Sequence, residues 1–292
     1  ADLNGNCSRT GYLGYAYLPE QSPEGGVIRI AVLEGRLDEV VLNWPDQMPI
    51  RRDVVEAYLA RLKPGEILRV RDVERIVFLV NDLRGLTARF EVRSGRNPGT
   101  ASLVVTAQPE DRVVSRAEVD TNGSRYSGVL RAGWLSTVNS PAGRGDGLVL
   151  NVLSTSTRGL VFGLAGYTLP VGSDGFKLGA SLSLVRYELD KDLLPIGLNG
   201  DARALTVYGL YPVVRSRNLN LFALVSVDSK QFNDRSESSG ADQRKRVTDL
   251  QFSLSGDARD DLLTGGVNTY ELTVVSGRLT PPPGIQNDLP RR

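Results

Sequence analysis

Leu219-Asn220-Leu221-Phe222-Ala223-Leu224-Val225-Ser226-Val227-Asp228 decides how this chain folds. Leu219, Leu221, Ala223, Val225 and Val227 fall on one face of an extended segment, and the other face includes Asn220, Ser226 and Asp228. A period of two presents one surface only when the chain is a strand. The alternation recurs at Leu250, Phe252 and Leu254 against Gln251, Ser253 and Ser255. It appears again at Leu178, Ala180, Leu182 and Leu184 against Lys177, Gly179, Ser181 and Ser183. There the phase slips: Val185, Tyr187 and Leu189 become the apolar set opposite Arg186 and Glu188, which predicts a β-bulge. About nine strand candidates fit between Arg112 and Leu279, many long enough to cross a bilayer obliquely.

The connectors alternate in kind. Residues 141–147 and 170–175 are compact and rich in Gly, Pro and Asp, whereas 190–201 and 233–246 are longer and polar. Short turns at one end and long loops at the other fit an outer-membrane barrel. A soluble β-sandwich alternates too, so periodicity alone leaves both open. Tyr126, Trp134, Tyr167, Tyr187, Tyr208, Tyr211 and Tyr270 read either as an interfacial girdle or as ordinary strand propensity.

Upstream the chain has another character. Residues 37–42 read as a strand. Val54, Val55, Tyr58, Leu59 and Leu62 carry helical spacing over 51–62, which stops at Pro64-Gly65. Val73, Ile76, Val77, Val80 and Leu83 form a second stripe, with Asp72 near its start and Gly85 just past its end. Strands follow at 86–92 and 101–107, completing a small α+β module. The candidate strands at 12–17 and 27–33 look like the end of an earlier module, so the amino terminus is expected to be truncated.

Composition removes much familiar chemistry. The 292 residues hold 35 Lys+Arg against 34 Asp+Glu, no His and one Cys. Near-neutrality argues against electrostatic nucleic-acid binding. Lack of His excludes His-based triads and metal sites, and Cys7 alone forms no internal disulfide. Asp257, Asp260 and Asp261 near Gly265-Gly266 lack EF-hand spacing and read as a solvated turn. Gly143-Arg144-Gly145-Asp146-Gly147 has no following helix or Lys-Ser/Thr and reads as a turn, not a phosphate loop. No catalytic constellation, metal site or cofactor is expected, and the chain reads as a non-enzyme.

Several motifs resemble the two-partner secretion transporters (TpsB family). Gly11-Tyr12-Leu13-Gly14-Tyr15-Ala16-Tyr17 and Val27-Ile28-Arg29-Ile30-Ala31-Val32-Leu33-Glu34-Gly35 look like the end of that family's first POTRA domain. Val73-Glu74-Arg75 through Asp82-Leu83-Arg84-Gly85-Leu86, then Pro98-Gly99-Thr100-Ala101, resemble its second. Asp120-Thr121-Asn122-Gly123-Ser124-Arg125-Tyr126-Ser127-Gly128 is similar to the signature at the first barrel hairpin, where Asp120, Asn122, Gly123, Ser124 and Gly128 carry the match. Gly145-Asp146 and Leu169-Pro170-Val171-Gly172 fall where the family places periplasmic turns.

The resemblance implies α+β POTRA modules followed by an antiparallel transmembrane β-barrel, with about nine of an expected sixteen strands present. The implied divisions are 1–36, the end of a first POTRA; 37–110, a second POTRA; and 111–292, the first half of the barrel. It implies an outer-membrane translocator in a Gram-negative bacterium, its POTRA part in the periplasm. Such a protein exports a large β-rich exoprotein of adhesin or haemolysin type, without ATP. The implied partners are that exoprotein's amino-terminal secretion domain and outer-membrane lipid, with no nucleic acid and a monomeric full-length state. Substrate capture by β-augmentation would use a sheet edge, assigned here to Leu86, Ala88, Arg89, Phe90, Glu91 and Val92. The family's Val-Arg-Gly-Tyr/Phe loop motif and plug helix are not found, so the chain reads as an internal fragment, expected to be insoluble alone. Rival readings are a barrel-assembly insertase of the same superfamily and a secreted all-β binding module.

Overall fold

The structure, a computed structural model, describes residues 14–17, 31–97, 99–260 and 265–280. Strand β1 (Gly14–Tyr17) pairs antiparallel with β2 (Ala31–Glu34). Most of the expected earlier module lies outside the described residues.

A compact α/β unit follows, made of β3 (Arg36–Asn43), α1 (Arg52–Leu59), α2 (Val70–Asn81), β4 (Leu86–Ser94) and β5 (Thr100–Pro109). Its sheet runs β3-β5-β4, with β3 parallel and β4 antiparallel to β5. The helical stripes supply the core: Val55, Tyr58, Ile76, Leu79 and Val80 pack with Leu37, Leu86, Leu103 and Val105. Each fully buried aliphatic side chain is worth roughly 1.5–3 kcal/mol over leaving it in water. Asp53 and Asp72 sit in the first helical turns, where the dipole favours an acid. The first helix is shorter than its expected 51–62, its last apolar residue Leu62 being reached through a turn. Gly85 ends the second helical segment at φ +96°, a conformation only glycine adopts without strain.

Beyond residue 110 the chain forms a nine-stranded antiparallel sheet in sequential order. The strands are β6 (Val113–Asp120), β7 (Arg131–Asn139), β8 (Gly147–Thr155), β9 (Leu160–Pro170), β10 (Lys177–Glu188), β11 (Leu198–Arg215), β12 (Leu219–Ser236), β13 (Ala241–Asp260) and β14 (Gly266–Thr280). The turns at 140–146 and 171–176 lie at the end nearer the α/β unit. The hairpins at 121–130 and 237–240 lie at the other.

Three expectations are corrected. No bulge interrupts β10: its register with β9 and β11 runs unbroken through Val185 and Arg186. Leu182, Leu184, Arg186 and Glu188 all share one face, so the change in pattern is chemical, where the strand passes from apolar to polar surroundings. The register shift lies instead between Pro212 and Val214 of β11, where proline has no N–H to offer a ladder. Nor are 233–246 a long loop. Strands β12 and β13 continue through them to a turn at 237–240. Likewise Leu198–Asp201, expected in a loop, already belongs to β11. A polar sequence still forms strands where cross-strand pairs replace an apolar face, as Arg235–Asp242 and Lys245–Asp234 do here.

Candidate functional site

The registers sort every side chain of the large sheet onto one of two faces, and those faces invert the usual order. Leu182, Leu205, Val207, Val225, Val227, Leu250 and Phe252 share one face and are 42–52% exposed. The other face holds Ser226, Asp228, Asp249 and Ser253, all 5–7% exposed. Its polar groups satisfy one another: Thr206 donates to Asp228, the Lys230 ammonium lies 3.1 Å from Asp249, and the Ser253 and Thr273 hydroxyls meet at 2.9 Å. Tyr208 reaches over Gly179 to Thr168 at 2.6 Å. An apolar face this wide is unstable against water, and a polar interior of this kind suits a hydrated lumen. The apolar face therefore meets lipid.

The expected aromatic girdle is divided between the faces. Tyr167, Tyr211 and Tyr270 lie outward towards the end nearer the α/β unit, and Trp134 lies outward towards the other end. Tyr187 and Tyr208 point to the polar side.

The α/β unit docks against one end of the sheet. The Asp82 carboxylate at the end of α2 takes two bonds from the Arg215 guanidinium, at 2.7 and 3.0 Å. Arg215 also stacks 4.7 Å from the Phe78 ring and donates to Asn220 at 2.7 Å. Arg75 donates to the Pro212 carbonyl at 3.0 Å, Lys177 donates to the Asp82 carbonyl at 2.8 Å, and Arg61 pairs with Asp174. Two turns meet the unit by backbone: Arg51 N–H donates to Gly143 and Arg84 N–H to Gly145, at 2.9 and 3.1 Å. Gly145, at φ +74°, is needed for space as well, since a Cβ there would lie 2.8 Å from Leu83.

Asp146 organises the first of these turns. Fully buried, it accepts the Ala142 and Arg144 N–H groups at 3.0 and 2.9 Å and the Tyr167 hydroxyl at 2.6 Å. Burial alone would push this carboxyl up, but the three donors hold it below the usual carboxylate range. Its role in the sequence pattern was that of a turn residue; the locked turn is the observed consequence.

The structure brings the signature residues together at the β6–β7 hairpin. Asp120 takes a bidentate pair from Arg131 at 2.8 and 3.0 Å and accepts the Asn122 N–H at 2.8 Å. Gly123 N–H donates to Val129 at 2.9 Å, and Ser124 Oγ accepts the Tyr126 N–H. Gly128 has φ +109°, and a Cβ there would lie 2.6 Å from Thr157 Oγ1. Thr155 and Thr157 hydroxyls both donate to the Ser127 carbonyl, so the hairpin is fastened to its neighbour.

The other sequence-assigned residues, Leu86, Ala88, Arg89, Phe90, Glu91 and Val92, lie on β4, which has a partner on one side only. Leu86 and Ala88 are buried, while Arg89, Glu91 and Val92 are exposed. Part of that open side is already occupied. The Asn81 amide donates to the Ala88 carbonyl at 3.1 Å and accepts its N–H at 2.8 Å. Backbone groups alternate along a strand, so the open positions begin at Phe90 and Val92. Nothing in the sequence marks Asn81 for this task.

Among the described residues there is no cluster of metal-ligating side chains. Asp257 accepts from Asn220 and Asp260 from Asn268, as structural acids; Asp261 lies outside the described residues.

No protein-family model matches the chain. Individual proteins do. The heme/hemopexin transporter protein HuxB of Haemophilus influenzae strain 86-028NP is 24% identical over 264 residues, which are 90% of this chain and 46% of HuxB. The outer membrane transporter CdiB of Escherichia coli is 31% identical over 142 residues, 47% of this chain and 23% of CdiB. The chain thus spans about half the length of HuxB. Among solved structures, CdiB from Escherichia coli superposes with a TM-score of 0.72 at 21% identity, over 99% of this chain and 54% of that one. BamA from Haemophilus ducreyi lacking POTRA domains 1–3 gives 0.55 at 12% identity, over 97% and 56%. The nine-stranded sheet is accordingly of the kind found in these outer-membrane barrels, and its apolar face belongs in the outer membrane of a Gram-negative cell. By sequence and by fold the chain is similar to HuxB and CdiB, which bears out its resemblance to the outer-membrane transporters of two-partner secretion.

Proposed function

We propose that the chain is part of an outer-membrane translocator that exports a large β-rich exoprotein by two-partner secretion. The observation that carries this reading is the two-faced sheet, apolar towards lipid and polar towards a lumen, with an α/β unit docked at its turn end. On this reading residues 37–110 are a POTRA domain, 111–292 the first half of a barrel, and 1–36 the end of an earlier POTRA. The relatives are transporters, which supports a non-enzymatic role.

The exoprotein's secretion domain adds a strand to β4 at Phe90 and Val92, where backbone N–H and C=O groups are open. Asn81 sets the boundary of that edge by occupying Ala88. Arg89 and Glu91 present charges on the exposed face beside it.

The test is export of the cognate exoprotein by the translocator carrying Val92→Pro. This substitution removes a donor from the open edge and leaves the β4–β5 ladder intact. Secreted exoprotein is expected to fall about tenfold while the barrel stays folded, in line with the loss of one to two backbone hydrogen bonds. Unchanged export would refute capture at this edge.

A further inference from the structure

The lipid-facing side carries a feature that a plain hydrophobic belt does not need. Around Gly163 lies a groove of about 960 Å³, lined by Trp134, Val152, Val161, Leu182 and Leu184. Its floor is open because residue 163 has no side chain: a Cβ there would meet nothing within 4 Å. No positive φ requires glycine at this position, so the vacancy serves space rather than backbone geometry.

At the groove's outer end the same face becomes charged, its arginines outnumbering the acids Glu188, Asp201 and Asp242. Arg186 stands two residues above Leu184 on β10, roughly 7 Å along the strand. Arg203 lies directly opposite Leu184 on β11. Asp201, opposite Arg186, is already engaged by the Asn233 amide at 3.0 Å and lies 3.8 Å from Arg203. Two strands further on, Arg244 and Arg246 of β13 stand at the same two levels, the registers linking Arg203 to Gln231 and Gln231 to Arg246, with Arg244 lying 3.5 Å from the exposed Asp242 carboxylate. Neighbouring strands are spaced by about 4.8 Å, so the two arginine pairs are roughly 10–15 Å apart. Among the described strand residues this face finishes at the opposite end in Tyr167 and Tyr211 without such cations, so the arginine cluster marks one leaflet.

We propose that this groove and its arginine rim form a binding site for a phosphorylated, multiply acylated glycolipid of the outer leaflet, of the lipid A type. An acyl chain fills the space above Gly163, and the planar guanidinium forks of Arg186 and Arg203 take one phosphate bidentately. Arg244 and Arg246 face a second phosphate on the same headgroup. Charge complementarity and the one-sided rim select this occupant over a phospholipid with a single phosphodiester. The proposal rests on the membrane reading of the sheet.

The experiment uses the whole translocator that contains this chain, purified in mild detergent from Gram-negative outer membranes, with heat-modifiable gel mobility reporting the folded barrel. Native mass spectrometry then counts bound lipid with added bisphosphorylated lipid A, its monophosphoryl form, or phosphatidylglycerol. The parent protein is expected to retain bisphosphorylated lipid A, and Arg186→Gln/Arg203→Gln to weaken it roughly tenfold or more. Gly163→Trp, which fills the groove and leaves the arginines, is expected to lower retention by a similar factor and decides the matter should the double variant not fold. Folded variants that keep the parent's lipid A occupancy, or phosphatidylglycerol binding as tightly, would overturn the site. A parent protein with no heat-modifiable form would instead overturn the membrane reading beneath it.

Discussion

Arg215 and Asp82 lie 133 positions apart and meet in a two-bonded ion pair at 2.7 and 3.0 Å, fixing the end of α2 to the turn end of the large sheet. Both side chains are largely covered, 19% and 23% exposed. Removing one partner strands the other. Arg215→Met is therefore expected to weaken docking by about 2–3 kcal/mol, below the full penalty of a deeply buried pair because some water remains. Proteolysis at residues 110–112 of membrane-inserted protein should accelerate, whereas Arg217→Met should not change it.

Asp146 gives a second prediction. Asp146→Ala leaves two turn N–H groups and the Tyr167 hydroxyl without their acceptor, costing roughly 2–4 kcal/mol. Because the folded carboxyl titrates below its unfolded value, its stabilisation is complete above about pH 4 and is lost as pH falls through the lowered value. Urea unfolding followed by Trp134 fluorescence, in a Trp44→Phe background, should show an acid-side loss that Asp146→Ala abolishes.

Tyr58 predicts the opposite edge of the pH range. Its hydroxyl is buried in the α/β core without a hydrogen-bond partner, and burial, then Asp82 and Asp174, push the phenol up to about 12. The unfolded phenol ionises near 10, so stability is full below about pH 10 and drains away as pH rises towards 12. Tyr58→Phe should remove that alkaline loss and raise stability at neutral pH by up to about 1 kcal/mol. Trp44 fluorescence reads this, since Trp44 packs against the same core.

Much of this architecture was legible in the sequence because its signals are local. Leu219 to Asp228 alternates so regularly that strand and face follow together, and the stripe Val73–Ile76–Val77–Val80 gives a helix and its buried side. The upper hairpin of β12 and β13 was not legible. Its strands are held by pairs such as Arg235–Asp242, which leave no apolar pattern. The phase change at Leu184 was visible, but a bulge and an exit from lipid write the same local sequence; only the register separates them. Arg215–Asp82 and Asn81–Ala88 were hidden for another reason. Each depends on a tertiary contact or on one polar side chain meeting an edge, which no spacing encodes.

The apolar face of the sheet meets lipid and the polar face a lumen, and site-directed labelling tests this most directly. Single cysteines at Leu221 and Phe252, with Gln251 as the opposite-face site and Cys7 replaced by Ser, would carry an environment-sensitive dye in membrane-inserted protein. Quenching by a lipid-borne nitroxide is expected at 221 and 252, and by aqueous iodide at 251. Aqueous quenching at 221 and 252, or a dye shielded from both quenchers at all three sites, would contradict it.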